Sequence, residues 1–274
     1  MMPRAIAAAL TPLAEGGAAL DLEAVAPYVA FLADAGIDGL LVAGTTGEGM
    51  NLSIDERKRL LEAYAAGALP VIAHCGAQTT AGTIELARHA ATLGVEGVAV
   101  IAPPYFPLRA DELLAHFTAA AAACAPTPFY AYELERASGY AIPPSVVEEL
   151  RGTAPNLVGM KVSDAPFEKV APYLLPGLDV FVGAEALIGE GLAAGAAGAV
   201  SGLAAALPQA VVDAVRSGDS TAVGALRASV ERFPRHAALK EIAVAAGVPM
   251  QADVRPPLRS LTGAERTELL ALVA

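Results

Sequence analysis

Short apolar runs and longer helix-period stretches alternate along almost the whole chain. Runs of strand length fall at 6–10, 39–43, 71–73, 98–102, 129–132, 157–162, 180–183 and 199–201, eight in all. Nearly all are apolar on both faces, the pattern of strands in a parallel sheet covered on both sides. Helix start signals stand between them: Asp21 ahead of Leu22-Glu23, Ser53 with Glu56 three residues on, Thr79 leading toward Ile84, and Asp111-Glu112. Three helical stretches run into strands through a shared ending: Ala35-Gly36-Ile37-Asp38-Gly39, Leu93-Gly94-Val95-Glu96-Gly97 and Ala194-Gly195-Ala196-Ala197-Gly198. Glycine just past a helix takes left-handed backbone without a Cβ penalty, so the repeating unit is helix, Gly turn, strand. Eight such strands predict an α/β fold, a closed (β/α)8 TIM barrel rather than a doubly wound sheet.

Beyond the last strand, 209–216, 221–233, 235–246 and 262–273 read as helices, with Pro249, Pro256 and Pro257 marking a loop among them. The first completes the barrel and the others form a C-terminal helical extension. The expected organisation is a barrel over 1–217 with 218–274 packed on it as one structural unit.

Composition changes this picture little. The 274 residues are 55% apolar and 17% charged, with mean hydropathy +0.50, so a large core is affordable and disorder is excluded. The uncharged run 191–212 is long enough to span a bilayer, but glycines, Ser201 and Pro208 break it into helix, turn, strand and turn. No basic segment followed by an apolar stretch and a processing site opens the chain, so a cytoplasmic location is expected. The formal charge of −11 argues against nucleic acid or an anionic membrane as partner. Cys75, Cys124 and the four histidines lack metal-ligand spacing, so no metal site and no disulfide are expected.

In a barrel of this kind the chemistry sits where strands end. Of the four lysines, Lys58, Lys161, Lys169 and Lys240, only Lys161 lies inside an apolar run, Leu157-Val158-Gly159-Met160-Lys161-Val162. Desolvation favours the neutral amine, which attacks carbonyl carbon; the competing reading is a lysine that snorkels or pairs with Asp164. Gly44-Thr45-Thr46-Gly47-Glu48-Gly49 follows the second strand but has neither the Walker A ending nor Gly-x-Gly-x-x-Gly spacing. Its hydroxyls and backbone N–H groups suit a carboxylate, or the segment is an ordinary tight turn. In the fifth strand, alternation puts Tyr130 and Tyr132 on one face, from which a phenol can relay protons or simply pack.

These segments, with Ala9-Leu10-Thr11-Pro12, Leu52-Ser53-x-x-Glu56-Arg57, Pro103-Pro104-Tyr105-Phe106 and Gly198-Ala199-Val200-Ser201-Gly202-Leu203, follow one another in an order that resembles the dihydrodipicolinate synthase/N-acetylneuraminate lyase family of class I, pyruvate-dependent aldolases. The resemblance spans most of the chain. It implies that Lys161 condenses with a 2-oxo acid, usually pyruvate, as an imine, and that the resulting enamine meets an aldehyde, with no metal or organic cofactor. By the same resemblance Thr45 and Thr46 hold the carboxylate and Thr45 joins a proton relay. Counting back from Ser138-Gly139 makes Tyr132 the relay tyrosine. Tyr105 matches a tyrosine that crosses a subunit interface, implying a homo-oligomer, dimer or tetramer. Gly183 and Glu185 match positions for the second substrate, and Val200 lines the pyruvate pocket.

The departures bear on substrate. The synthase branch carries an arginine for aspartate semialdehyde where this chain has Ala137, leaving Arg136 as the neighbouring candidate. Glu133 and Glu135 replace Asn and Pro, adding carboxylates that would repel an acidic aldehyde or accept hydrogen bonds from a hydroxylated one. The expected function is therefore a Schiff-base aldolase or lyase, with the lysine-biosynthetic synthase and then a sugar-acid lyase or dehydratase as alternatives. Two non-catalytic readings stand beside them: a phosphate-ligand-binding barrel using Gly183, Gly198 and Ser201-Gly202, and a sensor or scaffold barrel.

Overall fold

The structure, a computed structural model, describes residues 2–273. Eight parallel strands close into a barrel: β1 Arg4–Ala8, β2 Gly39–Val42, β3 Val71–His74, β4 Gly97–Ile101, β5 Phe129–Glu133, β6 Leu157–Val162, β7 Asp179–Val182 and β8 Gly198–Ser201. Every apolar run of the sequence is a strand. The first sits two residues earlier than its apolar run, because the ladder that closes the barrel pairs Arg4 with Gly198 and Ala7 with Ser201, leaving Ala9 and Leu10 buried beyond it.

Helices α1 Val25–Asp34, α2 Ile54–Ala65, α3 Thr80–Thr92, α4 Ala110–Cys124, α5 Pro144–Thr153, α6 Ile188–Ala193 and α7 Pro208–Ser217 surround the strands. Two 3-10 turns, Phe167–Lys169 and Ala171–Tyr173, stand in the place of a helix between β6 and β7. The start signals act locally. Ser53 Oγ accepts from Glu56 N–H at 3.2 Å while Glu56 Oε2 accepts from Ser53 N–H at 2.8 Å, and Thr79 Oγ1 caps Gly82 N–H at 3.1 Å. At the shared helix–strand turns Gly36, Gly94 and Gly195 take φ of 84°, 66° and 97°.

Apolar side chains pack in two layers. One fills the space between strands and helices; the other, Ile6, Ala8, Leu41, Ile72, Ala99, Tyr130, Phe181 and Val200, plugs the inside of the barrel. A plugged interior leaves the C-terminal strand ends as the place for a cavity. The run 191–212 becomes the end of α6, then β8, a 3-10 turn and the start of α7, and no helix among the described residues is long and apolar enough to cross a membrane. The extension contributes α8 Thr221–Val230, α9 Arg235–Ala245 and α10 Gly263–Val273.

Candidate active site

Lys161 lies next to last in β6, directly across the ladder from Tyr132 of β5. Both are buried, and Nζ stands 3.9 Å from the centre of the Tyr132 ring. The lysine faces this ring, while Asp164 accepts from the Glu135 N–H at 3.1 Å. Tyr132 OH and Thr45 Oγ1 are 3.2 Å apart. Burial resists ionising the phenol, but the Lys161 charge and the Thr45 hydroxyl beside it outweigh it and hold Tyr132 below the ordinary phenol value. Tyr130 sits one layer deeper against Phe181, ring centres 6.1 Å apart, and burial pushes it up to about 12. Of the two tyrosines that alternation put on one face, Tyr132 therefore belongs to the cavity and Tyr130 to the plug.

The cavity at the strand ends measures about 650 Å³, and Thr45, Thr46, Tyr132, Arg136, Lys161, Gly183, Glu185 and Val200 all line it. Tyr105 lies outside: 80% exposed, with φ of 85° and stacked edge-on with Phe106 at 4.7 Å. Glu185 is engaged by the protein. Its Oε1 accepts from Ser201 Oγ at 2.7 Å and Leu203 N–H at 3.0 Å, with Arg227 at 3.6 Å. Burial favours its neutral form, but the Arg227 charge and these donors hold it below the usual carboxylate range. Gly183 makes room for a neighbour: a Cβ there would lie 1.9 Å from Ser163 Oγ, a buried hydroxyl without a hydrogen-bond partner that borders the cavity.

One expectation fails. Glu133 adds no carboxylate to the cavity; it is 1% exposed, turned away with Oε2 accepting from Ile142 N–H at 2.6 Å, and it backs onto Asp164. Burial first, then the Asp164 and Glu135 charges, push it up to about 8. Glu135 does line the cavity, tied to Lys169 at 2.5 Å, and Asp164 supplies the carboxylate expected from Glu133.

Sequence reasoning did not single out the contribution of the extension. Arg227 and Arg235 line the cavity. At the start of α9, Arg235 Nη2 donates to Thr46 Oγ1 at 3.0 Å and His236 Nε2 donates to the Thr45 carbonyl at 2.9 Å. One turn on, Lys240, fully buried, lies 2.7 Å from Glu48, whose other oxygen accepts from Arg255 N–H at 2.7 Å. Ala43 and Glu48, at either end of the Thr45–Thr46 loop, hold φ of 58° and 57°, a conformation costing about 1–3 kcal/mol each that persists only where contacts over-determine it. The α9 contacts are among those that do so. Among the described residues no group of three or more His, Cys, Asp or Glu is placed to hold a metal, and both cysteines are buried and free.

The arrangement is an amine, a phenol and a hydroxyl in sequence at the floor of a cavity whose rim is charged. A profile of the dihydrodipicolinate synthetase family matches residues 1–274. The chain is 37% identical to an uncharacterized DapA-like lyase of Chloroflexus aurantiacus, over 83% of this chain and 79% of that one. It is 35% identical to a 4-hydroxy-tetrahydrodipicolinate synthase of a Synechococcus strain, over 94% and 90%. Among solved structures it is similar to the N-acetylneuraminate lyase of Proteus mirabilis, with a TM-score of 0.90, 30% identity, and coverage of 99% of this chain and 97% of that one.

Proposed function

The chain belongs to the dihydrodipicolinate synthetase family, carbon–carbon lyases and synthases of class I Schiff-base chemistry, and on that premise we propose that Lys161 joins pyruvate or a related 2-oxo acid to an aldehyde, or cleaves the adduct. Lys161 Nζ adds to the keto carbon and water leaves, giving an imine. Protonated at nitrogen, the imine withdraws electrons from the adjacent bond, so loss of a C3 proton yields a neutral enamine whose C3 attacks the aldehyde carbon. Hydrolysis then releases product and regenerates the amine. In the cleavage direction the same imine accepts the electrons of the breaking C3–C4 bond.

The observation that carries this reading is Lys161 at the cavity floor, 3.9 Å over the Tyr132 ring, with the Tyr132 hydroxyl 3.2 Å from Thr45 Oγ1. Tyr132 shuttles the proton to and from the carbinolamine and the aldehyde oxygen, and Thr45 relays it onward. Thr46 and the loop backbone take the carboxylate, against Val200. Tyr105, exposed beside Phe106, completes the relay from a neighbouring subunit of a dimer or tetramer. The hollow of about 180 Å³ next to Thr45, bordered by His74, Ile101 and Ala137, is the place open to it.

The second substrate is read from the rim. Asp164 and Ser163 accept hydrogen bonds from a hydroxylated aldehyde, as a sugar-acid lyase or dehydratase requires. Arg136, which lines the cavity, supports the alternative, a synthase gripping an acid semialdehyde without an arginine at 137. A phosphate site at the ends of β7 and β8 is disfavoured, because the ionised Glu185 fills that wall.

Incubation with pyruvate and borohydride, then peptide mapping, tests the reading: a stable adduct on Lys161, absent in Lys161→Ala, is expected. No adduct with pyruvate or another simple 2-oxo acid refutes it. Turnover with aspartate semialdehyde against glyceraldehyde then separates the two acceptor readings.

A further inference from the structure

Arg235 belongs to the extension, yet its guanidinium ends inside the cavity against the hydroxyl that is to hold the substrate carboxylate. We infer that Arg235 is a positioning residue for Thr46 and the charge that makes this cavity select a 2-oxo carboxylate. The inference rests on the reading of Lys161 and Thr46 above.

A threonine hydroxyl has one proton and two lone pairs. With Arg235 Nη2 donating into one lone pair at 3.0 Å, the Thr46 proton is left to point at an incoming acceptor. A cationic donor on an oxygen also polarises its O–H, so Thr46 becomes a stronger donor than an isolated hydroxyl. The next residue fixes the other half of the loop, because His236 donates to the Thr45 carbonyl and thereby orients the peptide that carries the Thr46 N–H.

The site is shaped for the guanidinium. A Cβ on Gly202 would meet Arg235 Nη2 at 2.4 Å and Thr46 Oγ1 at 2.9 Å, so any larger residue at the end of β8 would displace the arginine from the threonine. The charge is also available. The nearest carboxylate of Arg235, Glu231, is 3.8 Å away, 40% exposed and engaged by Arg227, and the buried Glu185, whose charge also acts on Arg235, is taken up by Ser201, the Leu203 N–H and Arg227. A substrate carboxylate held in this buried corner needs a compensating cation, and once the Lys161 iminium has lost a C3 proton to become the neutral enamine, its nitrogen no longer serves as one. Arg235 meets that need through the Thr46 hydroxyl.

The test is imine trapping with cyanoborohydride as a function of ligand concentration, on wild type, Arg235→Met, Arg235→Lys and Gly202→Ala. The probes are pyruvate and its methyl ester, which keeps the ketone and loses the charge. Arg235→Met is expected to raise half-saturating pyruvate about 10- to 100-fold, the range for losing a charge-assisted hydrogen bond, and to change the ester's less than 3-fold. Arg235→Lys, which keeps a charge without the fork, recovers part of the loss, and Gly202→Ala, which keeps the arginine but moves it, reproduces part of it. An unchanged pyruvate response in Arg235→Met, or an equal loss for pyruvate and ester, overturns the inference while leaving Lys161 standing. A wild type that pyruvate does not label overturns the Lys161 reading, and this one with it. Should Arg235→Met fail to fold, Gly202→Ala decides on the same comparison of pyruvate with ester.

Discussion

Replacing Glu133 by glutamine tests the assignment of a proton to that buried carboxyl. Glu133 Oε2 accepts from Ile142 N–H at 2.6 Å, and its other oxygen is buried without a hydrogen-bond partner on the side of Asp164. Burial and the Asp164 charge raise it to about 8, against about 4.3 in an unfolded chain. Between those values the folded protein holds one proton more than the unfolded one. Its contribution to stability is complete below about pH 4.3 and is lost as pH rises through about 8, at up to about 1.4 kcal/mol per pH unit. Glutamine keeps the Ile142 contact, offers its NH₂ to Asp164 and has no proton to lose. Relative to wild type, Glu133→Gln should therefore gain stability as pH climbs from 5 to 8, with a ceiling of about 4 kcal/mol over the three units. With an unfolding entropy of roughly 0.6 kcal/mol/K for a chain of this length, that ceiling corresponds to about 7 °C in Tm. Urea unfolding of both proteins at pH 5, 6.5 and 8 reads the difference. A pH-independent offset, or a wild type that gains on the variant as pH rises, refutes the assignment.

Four further outcomes are expected. Tyr132→Phe should lower turnover about 10²- to 10⁴-fold while the Lys161 adduct still forms; because Lys161 and Thr45 hold the phenol below its ordinary value, the alkaline limb of the wild-type rate profile should lie below pH 10 and be missing in the variant. Glu48→Gln and Lys240→Met should each cost about 3–5 kcal/mol in denaturant unfolding, since each strands a buried charge, whereas the double variant should cost less than the sum; additive losses would contradict the pairing. Mixed oligomers of Lys161→Ala and Tyr105→Ala should regain turnover that neither parent shows, measured after co-refolding, and mixtures as inactive as the parents would place Tyr105 outside the relay. Ser163→Ala should raise KM for a hydroxylated aldehyde about 5- to 10-fold, the price of one neutral hydrogen bond, and leave half-saturating pyruvate within about 2-fold.

The barrel was legible because its signals are local. Three of the eight apolar runs follow a glycine turn and four precede a helix start signal, and neither reading depends on distant residues. Lys161 was legible for a narrower reason, as the one charge inside an apolar strand. Lys240 shows the limit of that criterion. It is the more buried of the two lysines, at 0% against 8% exposed, yet it stands in a helix beside Glu241, where a charged residue is ordinary, so nothing local marks it. The two differ in what they face: Lys240 is closed onto Glu48 at 2.7 Å, while Lys161 opens onto a cavity beside a phenol. Burial alone therefore does not pick a nucleophile. Burial next to empty space does, and empty space is a property of the folded chain.

Arg235 and His236 were hidden for a different reason, but the sequence did carry a trace of them. They occupy the first turn of α9 directly after Pro234, in a turn with no acidic residue. The positive end of the helix dipole disfavours cations there by about 0.3–1 kcal/mol, and acidic residues are the local preference. Arg235, a cation in that position, is a conflict between local preference and the chain as built, and such conflicts collect at functional sites. Here the structure supplies the compensation. The Thr46 hydroxyl, the Thr45 carbonyl and the space over Gly202 receive the two side chains, so the end of the helix that would repel a cation is the end that presents one to the substrate carboxylate.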